Sequence, residues 1–146
     1  MGISLDDFRK IHQAVLLTRP MQIDSTPPDP VATKEQLEMV EHELQLKIPN
    51  LYRAFLENFG GGEFGSTVIY SAHSTGNWYL PKMQREAMEY IPVGFLAFSE
   101  DFCGGYFLLS TTDAACEKVF YYDTNGYVIE NTEFESILDH IVEYAY

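Results

Sequence analysis

The sequence predicts an α+β fold in which N-terminal helices and a C-terminal helix pack on a mostly antiparallel β-sheet. Apolar residues recur at helical spacing near both ends of the chain, aromatic and β-branched segments fill its second half, and an Asn-Gly pair marks a hairpin. The 146 residues, 46% of them hydrophobic, are enough for one core. We therefore expect a single domain over residues 1–146. Residues 1–32 would form a helix and a proline-rich connector, and residues 33–146 the core.

The first helix is predicted to begin after Ser4 and to close at Pro20. Asp7, three residues after Ser4, completes a capping pattern. An apolar stripe follows at helical spacing: Leu5, Phe8, Ile11, His12 and Val15. Residues 24–30, Asp-Ser-Thr-Pro-Pro-Asp-Pro, cannot sustain a helix or an inner strand. They are expected to cross the surface as an extended connector.

Two further helices are predicted between residues 33 and 62. Thr33 and Gln36 form a capping box at the start of the second helix, which is expected to end near Lys47. Its buried stripe is Leu37, Val40 and Leu44. Pro49 can begin the third helix, and Gly60 suits a left-handed cap at its end. The broad apolar face of this helix consists of Leu51, Tyr52, Phe55, Leu56 and Phe59.

The remainder is predicted to form strands followed by one helix. Segments rich in aromatic and β-branched residues predict strands at 63–70, 77–80, 91–98, 105–110 and 118–123. Asn125-Gly126 predicts a hairpin turn into Tyr127-Val128-Ile129. Thr132 and Glu135 form the predicted capping box of the terminal helix. Its inward-facing residues are expected to be Phe134, Ile137, Leu138, Ile141 and Val142.

Negative charge is concentrated in the second part of the chain. Residues 86–146 carry twelve acidic residues and one basic residue, Lys118, whereas residues 1–85 have a net charge of −2. Nucleic acids and anionic membrane surfaces attract Lys and Arg, so a net charge of −13 argues against both as direct partners. A basic partner protein is compatible with this charge, and so is a purely solubilising role.

The sequence also predicts the compartment. The start of the chain has no secretory signal pattern, and no apolar run approaches the ~20 residues of a membrane helix. Two cysteines, Cys103 and Cys116, do not make a disulfide framework. We therefore expect two free thiols in a cytoplasmic protein.

No catalytic, cofactor or metal motif stands out. Residues 60–65, Gly-Gly-Gly-Glu-Phe-Gly, fit G-x-G-x-x-G, but they follow a helix and lead into a strand, the reverse of a dinucleotide site. The four histidines, at positions 12, 42, 73 and 140, have no zinc-site spacing. An enzyme acting on a cationic substrate stays open, since paired carboxylates can serve as acid and base. No pair is distinguished, so we expect no catalytic residue, no cofactor and no metal.

Several elements occur in a characteristic order. Ile48-Pro49-Asn50-Leu51-Tyr52 closes the second helix, and Asn58-Phe59-Gly60-Gly61 ends the third. Later come residues 90–98 (Tyr-Ile-Pro-Val-Gly-Phe-Leu-Ala-Phe), 118–123 (Lys-Val-Phe-Tyr-Tyr-Asp) and 134–138 (Phe-Glu-Ser-Ile-Leu). This order resembles the SUKH superfamily. Asn50-Leu51 replaces a usual aspartate, Phe59 stands at an often polar position, and residues 1–32 have no counterpart.

The resemblance implies a non-catalytic protein that works by binding another protein. Bacterial SUKH proteins are cytoplasmic immunity proteins, which implies binding of a cognate polymorphic toxin domain, often a nuclease. Since a nuclease needs a positive cleft for its phosphate substrate, the acidic residues of the second part of the chain lead us to expect inhibition by occlusion of that basic active site. Fungal relatives regulate cell-wall synthesis through protein contacts. They supply the alternative, a regulatory interaction module that is not linked to a toxin.

Candidate partner-binding residues follow from charge, aromatic character and position near loops and strand ends. They are Trp78, Tyr79, Glu100, Asp101, Asp113, Glu117, Asp123, Glu130 and Glu133. Two alternatives stay open: Trp78 can be a core residue of its strand, and each acidic residue can be a solvated surface group without a partner.

Overall fold

The computed structural model describes residues 2–18, 28–113, 116–126 and 128–146. Its elements, in chain order, are α1 (Leu5–Thr18), α2 (Lys34–Leu44), α3 (Asn50–Phe59), β1 (Gly62–Phe64), β2 (Thr67–Ile69), α4 (Leu80–Ala87), β3 (Phe95–Glu100), β4 (Gly105–Ser110), β5 (Phe120–Asp123), β6 (Val128–Asn131) and α5 (Ile137–Ala145). The α+β class is confirmed. Within the described ranges, no helix combines the length and apolar character that crossing a membrane requires.

The main sheet is an antiparallel meander in the order β3-β4-β5-β6, and β1 and β2 form a separate hairpin. The backbone N–H of Tyr70, just after β2, donates to the Phe98 carbonyl in β3 at 2.9 Å, which joins the hairpin to the sheet. Asp123 pairs with Val128 at the β5–β6 turn, so the hairpin predicted at Asn125-Gly126 is confirmed. The four central residues of β3, Leu96, Ala97, Phe98 and Ser99, are fully buried.

Two helix starts predicted from local capping patterns, those of α1 and α2, are confirmed. The Ser4 hydroxyl accepts the Asp7 N–H at 3.1 Å, and Thr33 and Gln36 make both bonds of a capping box. Helix α2 ends at Leu44, before the predicted Lys47, because Gln45 adopts the left-handed conformation. Gly60 does follow α3, but its φ of 78° and ψ of −114° lie outside the left-handed helical region, so the predicted cap type is wrong.

Helix α1 packs against the core through Phe8, which is fully buried. The Phe8 ring lies edge-on to Phe55 and Phe59, with centroids 5.8 and 5.1 Å away. Burying such a ring contributes about 2–3 kcal/mol. The predicted helix end at Pro20 and residues 24–27 of the predicted connector lie outside the described residues.

The end of the connector differs from the prediction. Asp29 is buried, and it pairs with Gly61 as an isolated bridge. Its carboxylate accepts hydrogen bonds from the Ser71 hydroxyl at 2.7 Å and from the backbone N–H groups of Asn77 and Trp78 at 3.0 and 2.9 Å. This part of the connector is therefore a component of the interior, because it supplies an acceptor for the loop before α4.

Two strand predictions in the middle of the chain are wrong. Residues 63–70 form a hairpin, with Gly65 at a φ of 57° in the turn, instead of one strand. The strand at 77–80 is absent: residue Tyr79 makes a single bridge to Ser71, and Leu80 begins helix α4. Pro81 in the first turn favours this helix start, and the sequence had not predicted the helix.

The last helix begins later than predicted. Ser136 caps α5 by accepting the Leu138 N–H at 3.2 Å. The Thr132 hydroxyl instead donates to the Val119 carbonyl at 2.7 Å, so the predicted capping box is wrong. Ile137, Leu138 and Ile141 are buried as expected, Phe134 precedes the helix, and Val142 is half-buried.

Candidate functional site

A cleft of about 470 Å³ lies between the β1–β2 turn, strands β4 to β6 and helix α5. We call it the acidic cleft. Its acidic residues are Glu100, Asp101 and Glu130, its aromatic residues are Phe107, Tyr121, Phe134 and Tyr144, and its remaining residues are Ser66, Thr67, Asn131 and Thr132. None of these lining residues is basic. Its volume lies in the range of sites that hold a small ligand or a side chain with its neighbours.

Strand register places the centre of the cleft. Phe107 in β4 is directly opposite Tyr121 in β5, and Tyr121 is directly opposite Glu130 in β6, so the three side chains share one face of the sheet. The Phe107 ring also lies 5.2 Å from that of Tyr121 and 5.6 Å from that of Tyr144 in α5. The floor of the cleft is therefore a continuous aromatic surface with a carboxylate beside it.

Asp101 is held in a fixed orientation at the end of β3. The Tyr121 hydroxyl donates to Asp101 Oδ2 at 2.5 Å, and the backbone N–H groups of Cys103 and Gly105 each donate to Oδ1 at 2.8 Å. Partial burial opposes ionisation of Asp101, but these hydrogen bonds outweigh it and lower the pKa of the carboxyl group. The Asp101 side chain is therefore a charged group at neutral pH. The same hydrogen bond raises the pKa of Tyr121.

Gly105 makes this arrangement possible. A Cβ atom at residue 105 would lie 2.1 Å from the Tyr121 hydroxyl oxygen and 2.5 Å from Asp101 Oδ2. Any side chain there would displace one partner of the hydrogen bond. The glycine therefore positions Asp101 without contacting a ligand.

Glu100 links the cleft to a second aromatic group. Its carboxylate accepts a hydrogen bond from the Tyr70 hydroxyl at 2.8 Å, and burial followed by the charge of Glu100 raises the pKa of Tyr70. The Trp78 ring is parallel to that of Tyr70 at 6.4 Å and lies edge-on to Phe102 at 5.9 Å. Phe102 is 54% exposed and has a φ of 62°, an uncommon conformation for a bulky residue. An exposed aromatic group thus lies next to Asp101 in the chain.

The predicted site residues are not gathered in one place. Glu100, Asp101 and Glu130 line the acidic cleft. Trp78 is half-buried outside the cleft, and its ring stacks on Tyr70, whose hydroxyl bonds to Glu100. The others lie elsewhere: Tyr79 directly before α4, Asp113 in the loop after β4, Asp123 at the β5–β6 turn, Glu133 in a separate hollow with Ile3 and Asp139, and Glu117 beside the start of α3.

Glu117 has a structural contact. Its Oε2 atom accepts the Leu51 N–H at 2.8 Å in the first turn of α3, where Pro49 supplies no side-chain cap. Burial raises the pKa of Glu117, and hydrogen bonds from the Leu51 and Asn50 amides oppose that shift only in part. A helix start thus obtains its acceptor from a residue 66 positions away.

His140 is an interior residue behind the cleft. It is fully buried, its Nε2 atom lies 3.0 Å from the Thr67 hydroxyl oxygen, and its ring lies 4.4 Å from that of Phe107. Burial lowers the pKa of His140 to about 3, so the imidazole is neutral near pH 7. It supports the floor of the cleft without adding positive charge.

The sequence did not single out the aromatic residues of the cleft. Phe107 and Tyr121 both lie in predicted strands, and pairing those strands in the correct register would have placed the two side chains together. Phe134 and Tyr144 become neighbours, at 5.8 Å, only after α5 folds over the sheet. No local pattern distinguishes Phe102 from other loop residues.

The chemistry available in the cleft is recognition of positive charge. Carboxylates beside aromatic rings attract ammonium and guanidinium groups. Among the described residues, no group of three or more His, Cys, Asp or Glu side chains has an arrangement that would hold a metal ion.

Comparisons with known proteins identify the family. The family model SUKH_6, described as SMI1-KNR4 cell-wall, matches residues 34–140. A solved structure of a protein from Pseudomonas syringae pv. tomato resembles this fold with a TM-score of 0.68 at 18% sequence identity, covering 87% of this chain and 92% of that chain. A search of curated proteins found no match. The family match extends from α2 into α5, and the chain belongs to the SMI1-KNR4 family of the SUKH superfamily.

Proposed function

We propose that this protein is a non-catalytic immunity protein of the cytoplasm that binds a cognate toxin domain and neutralises it by covering a basic active site. Family membership supports a role in protein binding. The observation that carries the proposal is the acidic cleft, because its lining contains three carboxylates and no basic residue. A nuclease is the expected toxin, since its active site binds phosphate through positive charge.

The contact surface we propose is narrower than the nine predicted residues. It combines the acidic cleft with Phe102 and Trp78. Phe102 follows Asp101 in the chain, and Trp78 contacts both Phe102 and Tyr70, whose hydroxyl bonds to Glu100. Tryptophan is enriched in binding hot spots, and aromatic residues in general are enriched at interfaces. A stable interface buries about 1,600 Å², so further surface around the cleft would also contact the toxin.

Electrostatic attraction predicts how fast the two proteins associate. The concentrated negative charge of residues 86–146 would steer a basic domain toward the cleft and raise the association rate above the ~10⁵–10⁶ M⁻¹s⁻¹ of uncharged pairs. Salt screens this attraction. The association rate should therefore fall steeply as ionic strength rises, while the dissociation rate changes less.

The experiment is co-expression with the toxin domain encoded beside this gene, scored by cell survival and co-purification. Glu130→Lys reverses an exposed charge in the cleft, and Glu38→Lys makes the same change at an exposed position on α2, outside the cleft. We expect Glu130→Lys to lose protection and Glu38→Lys to keep it. Failure of the unaltered protein to protect or to co-purify would reject the proposal.

A regulatory interaction module is the second candidate function. The description of the matching family as SMI1-KNR4 cell-wall favours it. Such a module would bind a cellular partner through the same surface, and its deletion would alter cell-wall composition without a toxin present. Protection from an adjacent toxin, with no effect of deletion on the wall in its absence, would favour the immunity function instead.

A further inference from the structure

We propose that the acidic cleft binds one arginine side chain of the partner protein, with the guanidinium group stacked on the aromatic floor and paired with the carboxylates. This inference rests on the proposed function, because it names the group of the partner that enters the cleft. It predicts that the cleft prefers a guanidinium group, whereas an acidic surface alone would attract any cation.

The floor of the cleft suits a flat cation. Phe107, Tyr121 and Tyr144 form an aromatic surface with neighbouring ring centroids 5.2 and 5.6 Å apart. A guanidinium group is planar, weakly hydrated and able to stack on such rings, whereas an ammonium group is compact and strongly hydrated. The aromatic floor therefore favours arginine over lysine.

The carboxylates are placed to receive its N–H groups. Asp101 accepts three hydrogen bonds from within the fold, which orient it and leave about one of its roughly four acceptor positions free. Glu130 is exposed directly opposite Tyr121 in the strand register. One fixed and one exposed carboxylate beside the same ring can share the donors of one guanidinium group.

No internal cation already neutralises the cleft in the described part of the chain. The ion pairs found there join Arg53 to Glu41 and Glu57, and Arg85 to Glu43, all outside the cleft. The Lys118 amine approaches the rim, but its hydrogen bond is to the Thr132 carbonyl at 3.1 Å. The negative charge of the cleft is therefore available to a cation from outside.

The proposed function explains why the cation would be an arginine. Arginine is over-represented where proteins bind phosphate, because the guanidinium fork pairs with two oxygens at once. A carboxylate presents two oxygens in a similar arrangement. The cleft would thus take the residue that the toxin needs for its substrate.

The test uses the whole protein, labelled with ¹⁵N, and three small probes: N-acetyl-arginine amide, N-acetyl-lysine amide and N-acetyl-norleucine amide. We expect the arginine probe to shift amide resonances around Asp101, Tyr121 and Glu130. The lysine probe should bind several-fold more weakly, and the apolar probe should not shift these resonances. Equal binding of arginine and lysine, or shifts elsewhere only, would overturn the inference.

A matched pair of variants completes the test. Glu130→Gln should lower the affinity for the arginine probe about three- to tenfold, because one charge-assisted contact is lost. Glu38→Gln removes the same charge on α2, outside the cleft, and should leave the affinity unchanged. Equal losses in both variants would mean that net charge alone attracts the probe. Both positions are exposed, so folding should survive either change.

The probe experiment and the toxin experiment can fail separately. If the arginine probe binds the cleft but no toxin is neutralised, the proposed function is wrong and the ligand chemistry stands. If a toxin is neutralised but Glu130→Gln binds both toxin and arginine probe as tightly as the unaltered protein, the cleft is not the arginine site.

Discussion

Replacing Asp29 with alanine should strongly destabilise the fold. The Asp29 carboxylate is the acceptor for three hydrogen bonds, from the Ser71 hydroxyl and from the Asn77 and Trp78 amides, at 2.7 to 3.0 Å. The residue is only 4% exposed, so water would replace this acceptor poorly. Hydrogen bonds to charged groups contribute about 1.5–3 kcal/mol each, and they are not fully additive. We expect a loss of about 4 kcal/mol, a large part of the ~5–15 kcal/mol of a typical domain.

Urea unfolding followed by tryptophan fluorescence measures this loss directly, because Trp78 is the only tryptophan and one of its backbone contacts is to Asp29. The midpoint should fall while the slope stays constant. Asp29→Asn keeps the shape of the side chain and one acceptor oxygen. Its stability should therefore lie between those of the unaltered protein and Asp29→Ala. Glu133→Ala is a control for removing an exposed acidic group. A loss below about 1 kcal/mol for Asp29→Ala would refute the argument that this carboxylate organises the loop.

Three more predictions concern the cleft and the start of α3. Gly105→Ala should cost about 1–3 kcal/mol in urea unfolding and weaken the arginine probe, because its Cβ would meet the Tyr121 hydroxyl; unchanged values would contradict the close approach. The pKa of Asp101 is lowered from 3.8, so its stabilising effect is present above that pH and is lost below it. The difference in unfolding free energy between the unaltered protein and Asp101→Asn should therefore shrink when unfolding is measured at successively lower pH. A constant difference would contradict a lowered pKa of Asp101. The pKa of Glu117 is raised from 4.5, so the unaltered protein should lose stability relative to Glu117→Gln as pH rises from 4.5 toward neutrality; the opposite trend would show that the helix contact outweighs burial.

Elements specified by neighbouring residues could be predicted from the sequence, whereas those specified by distant contacts could not. The caps at Ser4 and Thr33 depend on residues three positions away, and both are confirmed. Thr132 has a capping pattern as well, but its hydroxyl donates to the Val119 carbonyl and accepts the Phe134 N–H, and the helix begins only after Ser136. Asp29 was assigned to the surface because the partners of its carboxylate, from Ser71 onward, are at least 42 residues away. Local patterns therefore predict a structure only where no tertiary contact competes.

The same distinction explains what was predicted of the cleft. Asp101 and Glu130 were candidates because acidic residues near strand ends can be recognised individually. Their aromatic neighbours depend on the register of β4 with β5 and on the position of α5. The sequence predicted all of these elements but not their alignment, and Phe107 and Tyr121 become neighbours only through that alignment.

The packing of α1 has a consequence for the order of events during synthesis. The Ile3 amide donates to Asp139 Oδ1 at 3.2 Å, the Phe8 ring stacks with that of Tyr146 at 6.0 Å, and His12 bonds to the Tyr146 hydroxyl. A ribosome makes α1 before these partners, which lie in and directly after α5. The earlier helix must therefore wait, with Phe8 not yet fully covered, until α5 has emerged. Completion of this packing is a late event that joins segments far apart in the sequence.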